Sequence, residues 1–133
     1  MREIKFRGKI KNNGEWVYGS YMDSYFSVRF GLVPAIFYNN YDTCRTLRIP
    51  TTEETVGQYT GLKDKNSKEI YEGDIVKLGT YTKGVVEYSD RYAQFVITNT
   101  NTIEYECEPL GDYEKIEVIG NIYDNPELLK AGD

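Results

Sequence analysis

Residues 4–11 alternate with a period of two. Ile4, Phe6 and Ile10 fall on one side, with Gly8 in the same register, and Lys5, Arg7, Lys9 and Lys11 fall on the other. A helix would spread this pattern around its circumference, whereas an extended chain collects it into one oily and one charged face. Asn12-Asn13-Gly14 follows, and Asn-Gly accepts the positive φ angles of a tight hairpin turn. The return strand is expected over residues 15–22, where Trp16 and Tyr18 share a face. The chain therefore opens with a hairpin.

The same grammar continues. Phe26, Val28 and Phe30 alternate as a further strand, and Pro34 turns the stretch after it into an edge or a bulge. Asn39-Asn40-Tyr41-Asp42 reads as a loop, and a short strand at 46–49 stops at Pro50. Thr51-Thr52-Glu53-Glu54 reads as one helical turn, with a Thr cap and acids at its start, ended by Gly57. Residues 56–62 and 69–78 form two arms around a polar turn at 63–68, and Gly73-Asp74 breaks the second arm. Strands at 83–88, 93–98, 103–107 and 115–119 complete the series. At the end, Asn125 before Pro126 and Glu127 predicts one or two turns of helix. Many short strands between turn signals mean a mainly β chain, an antiparallel sandwich or small barrel closed by a short C-terminal helix.

With 133 residues the chain makes one domain or two small lobes, and 40% hydrophobic against 28% charged residues is ordinary for a folded protein. Tyr is abundant: 13 residues, against one Trp and five Phe. Its ring packs on pleated surfaces while its hydroxyl reaches water, which suits wet sheet margins and, alternatively, a tyrosine-lined interface. The net charge of −5 is unevenly spread. Residues 1–50 hold eight Lys/Arg and four Asp/Glu, giving +4; residues 51–133 hold eight and seventeen, giving −9. The acidic whole argues against bulk nucleic-acid binding, and the basic first half leaves a local strip open.

The absence of histidine excludes Ser-His-Asp triads, Cys-His pairs and imidazole metal sites. Cys44 and Cys107 have neither zinc nor C-x-x-C spacing and read as reduced, partly buried thiols, with a bridge between them as the alternative. No apolar run approaches the length of about 18 residues that spans a membrane, and Met1-Arg2-Glu3-Ile4-Lys5 has no signal-peptide core. A cytoplasmic protein without cofactor, metal or catalytic centre is expected. Asp64-Lys65-Asn66 lacks the glycine and closing acid of a calcium loop and reads as an Asx turn.

Two charged ladders stand out. Glu104, Glu106 and Glu108 alternate along a predicted strand, most simply as a solvated face. Lys5, Arg7, Lys9 and Lys11 have the same spacing and the opposite sign, so the two are expected to neutralise one another, within the chain or across a subunit boundary. The basic ladder with Trp16 and Tyr18 is alternatively a contact for nucleic acid.

Three stretches resemble the YopX family, small proteins encoded by bacteriophages and prophages of Gram-positive bacteria. The first is Arg2-Glu3-Ile4-Lys5-Phe6-Arg7. The second runs from Gln58-Tyr59-Thr60-Gly61-Leu62-Lys63-Asp64 through Tyr71-Glu72-Gly73-Asp74-Ile75-Val76. The third is Val118-Ile119-Gly120-Asn121-Ile122-Tyr123-Asp124-Asn125-Pro126 and the residues after it. Gly8 stands where members often carry Ala, and Ser67 where the turn often carries Gly. The resemblance implies a β-rich fold with an SH3-like barrel portion and transfers no catalytic residue. Together these readings divide the chain into an N-terminal hairpin-rich lobe (1–55) and an SH3-like portion with the short helix (56–133), or leave it one continuous domain. The functional expectation is a non-enzymatic phage or prophage accessory protein of the host cytoplasm. It would bind or assemble, most readily as a homo-oligomer or with a host or phage protein, because open strand edges must be covered. The alternative is a nucleic-acid-associated regulator using the basic strand.

Overall fold

The computed structural model describes residues 2–78, 82–99, 107–109 and 115–129; for Asn99 and residues 107–109 it describes the backbone alone. Eleven strands are present among them: β1 (Phe6–Lys9), β2 (Trp16–Ser27), β3 (Gly31–Asn40), β4 (Arg45–Pro50), β5 (Gly57–Lys63), β6 (Glu69–Tyr71), β7 (Asp74–Leu78), β8 (Thr82–Ser89), β9 (Gln94–Asn99), β10 (Cys107–Pro109) and β11 (Ile116–Asn121). The hydrogen-bonded orders are β4-β3-β2-β1-β5-β6 and β10-β9-β8-β7-β11, and the strand pairs with a stated register are all antiparallel. Mainly β and antiparallel is thus the architecture. Neither order returns to its first strand among the described residues, so neither sheet is a closed barrel. The chain forms two compact units, Met1–Tyr59 and Thr60–Asp133.

In the first unit the opening hairpin turns at Gly14, φ +74°, whose N–H donates to the Ile10 carbonyl at 2.7 Å. β2 runs on to Ser27, beyond the expected end near residue 22, because an irregularity between Met22 and Tyr25 lets it bend without ending. Pro34 lies across from that irregularity, between the paired residues Val33 and Ala35. A residue with no N–H to give is tolerated at such a bulge. Val28, Arg29 and Phe30, expected in a strand, form instead the turn into β3. The helical turn is a 3-10 turn at Glu53–Thr55. The Thr52 side chain does not cap it; the Thr55 hydroxyl donates to the Thr52 carbonyl at 2.6 Å and accepts the Lys9 N–H at 2.9 Å.

In the second unit Ile70, Val76, Val86, Ile97, Ile116 and Val118 form one buried cluster, with Leu62, Leu78 and Phe95 packed against it. These come from β5, β6, β7, β8, β9 and β11, so the hydrophobic effect ties six strands of this unit together. Where the sequence suggests one or two turns of α-helix near the end, the described chain makes a single 3-10 turn, Pro126–Leu129. The Asn125 side chain accepts the N–H of Asn121, upstream of it, at 3.2 Å and so serves the preceding turn rather than a helix.

Candidate functional site: a basic and aromatic sheet face

Residues directly opposite in an antiparallel pair project to the same side of a sheet. In the first unit Arg7 lies opposite Tyr18 and Gly57, Lys9 opposite Trp16, Ser20 opposite Phe37, Phe37 opposite Arg48, and Asn39 opposite Thr46. Period-two alternation within each strand joins these pairs into one face. It carries Arg7 and Lys9 on β1, Trp16, Tyr18 and Ser20 on β2, Phe37 and Asn39 on β3, and Thr46 and Arg48 on β4. No Asp or Glu of β1–β4 falls on it. On the opposite face stands Tyr21, whose phenol is raised above its usual pKa first by burial and then by Glu53 and Asp23.

Cations sit over rings on this face. The Arg7 guanidinium lies 4.7 Å from the Trp16 ring centre and Lys9 Nζ 5.5 Å from it; Lys5 Nζ is 5.1 Å from the Tyr59 ring and Arg48 is 5.5 Å from Phe37. Each is within the range in which a ring quadrupole attracts a cation. At the β3–β4 end the face runs into an open pocket of about 270 Å³ lined by Asn39, Asn40, Tyr41, Cys44, Arg45 and Thr46. The turn there is shaped by Asn40, whose side-chain oxygen accepts the N–H of Asp42 at 3.0 Å and of Thr43 at 3.3 Å.

The structure brings Lys5, Arg7 and Lys9 together with Trp16 and Tyr18, as the sequence suggests, but not as a uniform wet ladder. Arg7 is only 6% exposed, and Lys5 and Lys9 are half-buried. Ile4, expected on the apolar side, is 60% exposed because β1 begins only at Phe6. Lys11 follows the strand and packs by Phe30 of the next hairpin, 5.7 Å away. Glu104 and Glu106 lie outside the described residues; Glu108 is in β10, its backbone paired with Ile97. The neutralisation of the two ladders thus also lies outside them. Cys44 is exposed in the β3–β4 turn rather than partly buried, since the turn sets it at φ +55° on the surface. Phe37 and Arg48 were not singled out from sequence. The alternation Thr46, Arg48, Pro50 was a usable signal, but which face it served depended on the β3–β4 register.

The residues carrying the family resemblance do different work. Asp64, 6% exposed, accepts the N–H groups of Asn66 at 2.8 Å and Lys68 at 2.9 Å through Oδ1, and of Val118 at 2.9 Å through Oδ2. Burial by itself raises a carboxyl; here those three donors, with the Lys68 charge, outweigh it and hold Asp64 below the usual carboxylate range. This is the expected Asx turn with a long-range donor added. Asp74, 1% exposed, accepts the Tyr71 N–H at 2.8 Å across the Glu72-Gly73 turn. Gly73 has φ +89°, and a Cβ there would come within 3.1 Å of the Tyr123 ring. Its carbonyl accepts the Ile122 N–H at 2.9 Å. Asn121 Oδ1 accepts from the N–H groups of Tyr123 and Asp124, at 3.0 and 2.9 Å, and a Cβ on Gly120 would press on the Asn125 side chain at 2.6 Å. The Thr60 hydroxyl donates to the Ile70 carbonyl at 2.8 Å and accepts the Leu62 N–H at 3.2 Å, around Gly61 at φ +88°. Gln58 pairs with Phe6, and the Tyr59 N–H donates to the Lys5 carbonyl at 2.8 Å. Pro126 opens the last 3-10 turn. The side chains of Asp64, Asp74 and Thr60 thus serve buried backbone groups that would otherwise lack partners.

The chain is accordingly an all-β protein of two antiparallel sheets, whose motif residues brace turns and whose first unit presents a cationic, aromatic face. A family profile described as YopX protein matches residues 5–130, nearly the whole chain. The chain belongs to the YopX family. Among solved structures it is similar to protein EF1440 from Enterococcus faecalis, at 23% identity and a TM-score of 0.58, over 98% of this chain and 100% of that one. At that identity the likeness speaks for the fold alone. No curated protein matches the sequence. No helix among the described residues is long and apolar enough to cross a membrane.

Proposed function

We propose that this is a phage- or prophage-encoded accessory protein of the host cytoplasm that acts by binding rather than by catalysis, through the basic and aromatic face of its first unit. One observation carries the reading: four strands bring Lys9, Trp16, Tyr18, Phe37 and Arg48 to one side without an acidic neighbour from those strands. Aromatic and arginine side chains are the types enriched where proteins hold partners. The buried carboxylates Asp64 and Asp74 are occupied with backbone donors, which favours a structural role over acid–base work. The β7-β8-β9 meander of the second unit is read as the SH3-like portion implied by the family, here serving as scaffold. Strand β4 ends its sheet order, and pairing of that edge with a second copy would cover it as a homo-oligomer. Light scattering at micromolar concentration is expected to give a mass above that of one chain.

Site-specific photocrosslinking tests the binding surface. A photoreactive residue replaces Tyr18 in one protein and Tyr92 in another, positions 47% and 54% exposed, in cells carrying the phage genes. Adducts are expected from position 18 and not from position 92. Adducts from neither, or only from 92, would remove this face from the account.

A further inference from the structure

We infer that the ligand of this face is single-stranded nucleic acid, held by base stacking on Tyr18 and Phe37 with Arg48 and Lys9 at the phosphates; the inference rests on the binding role assigned to the face above. Binding of single strands without strong sequence preference needs two things together, aromatic planes for bases and cations along the backbone path. The sheet supplies both in alternation. From β1 to β4 the residues cross three inter-strand steps, roughly 14 Å at about 4.8 Å each, which is room for a few nucleotides. Tyr18 is 47% exposed, Arg48 is exposed and Phe37 half-buried, so ring surface and charge reach solvent together. The cation–ring distances of 5.5 Å at Arg48–Phe37 and Lys9–Trp16 set charge beside aromatic surface, and Tyr25 meets Phe37 in a T-shaped contact at 6.4 Å that extends this surface.

A further feature of the face suits this occupant. The pocket at the end of the face presents the Asn39 and Asn40 amides, the 86% exposed Tyr41 ring and Arg45. The two amide oxygens are engaged within the turn, by the Thr46 hydroxyl at Asn39 and by the Asp42 and Thr43 N–H groups at Asn40, so the amide N–H groups, the ring and the guanidinium are what would meet the acceptors on the edge of an unstacked base. A paired duplex hides those edges and the base planes, so selectivity for single strands follows.

Trp16 is the sole tryptophan of the chain and lies within the face, so its fluorescence reports occupancy directly. The full chain is titrated with an oligothymidylate of about ten nucleotides, with the corresponding duplex and with heparin. Saturable quenching by the single strand is expected, with log affinity falling as log salt rises by about 0.7 per phosphate neutralised. Tyr18→Ala and Arg48→Glu, both at exposed positions, are each expected to weaken it about tenfold while leaving circular dichroism unchanged. Equal binding of duplex or heparin, or binding that survives both substitutions, would overturn the inference, as would no quenching by the single strand. Crosslinks at position 18 with no oligonucleotide binding would sink the inference alone; absence of crosslinks there would sink the binding role itself.

Discussion

The backbone N–H of Val118 donates to the carboxylate of Asp64 at 2.9 Å, across 54 residues of sequence. One side chain thereby holds both its own turn and strand β11. Asn at this position presents an amide donor to backbone donors. Asp64→Asn is expected to cost about 3 kcal/mol in urea denaturation at neutral pH, since a charged hydrogen bond is lost and a buried N–H is left without a partner. A loss below about 1 kcal/mol would contradict the bracing role.

Asp64 also sets a pH dependence. Its folded-state pKa is depressed, because the three backbone donors outweigh burial. The linked stability is therefore fully present above the unfolded value of about 4 and is lost as pH falls through the lower, folded value. The wild-type protein is expected to lose stability below about pH 4, and Asp64→Asn to flatten that acid limb. Denaturation midpoints measured across this window check it.

Gly73 takes φ +89° beneath the Tyr123 ring. Gly73→Ala meets an unfavourable left-handed backbone and a 3.1 Å contact together. The expected loss is about 2 kcal/mol by thermal or urea unfolding.

Ser67 and Ala93 show the reverse case, at φ +64° and +52°. Glycine relieves the left-handed strain and gives back part of the gain as unfolded-chain entropy. Ser67→Gly and Ala93→Gly are each expected to raise stability by about 0.5 kcal/mol, read as a higher denaturation midpoint.

Arg7 and Lys9 look equivalent in the sequence and are not so in the sheet. Arg7 is 6% exposed with its guanidinium 4.7 Å from the Trp16 ring, while Lys9 is half-buried and 5.5 Å from it. Arg7→Ala is expected to cost about 2 kcal/mol and Lys9→Ala about 0.5 kcal/mol. Arg7→Lys should recover less than half of the Arg7→Ala loss, because an ammonium cannot stack as a plane. Equal effects of the two alanine variants would contradict the packing described.

Local chemistry was legible wherever it decided structure locally. The alternation at residues 4–11, the Asn-Gly turn, the Asx turn at Asp64 and the break at Gly73-Asp74 each name their own conformation. What escaped were the features that depend on pairing. That Pro34 sits at a bulge rather than an edge follows from the Met22–Tyr25 irregularity on another strand. That Phe37 and Arg48 join Trp16 and Tyr18 follows from two registers, and no local signal encodes a register. The end of the chain misled because Asn125 and Pro126 suit a helix start and a 3-10 turn alike, while the Asn125 side chain is engaged with Asn121.

Amide-resolved NMR of the whole chain during titration with the single-stranded oligothymidylate tests most directly where the protein works. Shifts are expected at the Trp16 indole and at the amides of Ser20, Phe37 and Arg48, with Asp64, Asp74 and Asn121 unmoved. Shifts gathered at Asp64, Asp74 and Asn121 while the sheet face stays silent would contradict this expectation.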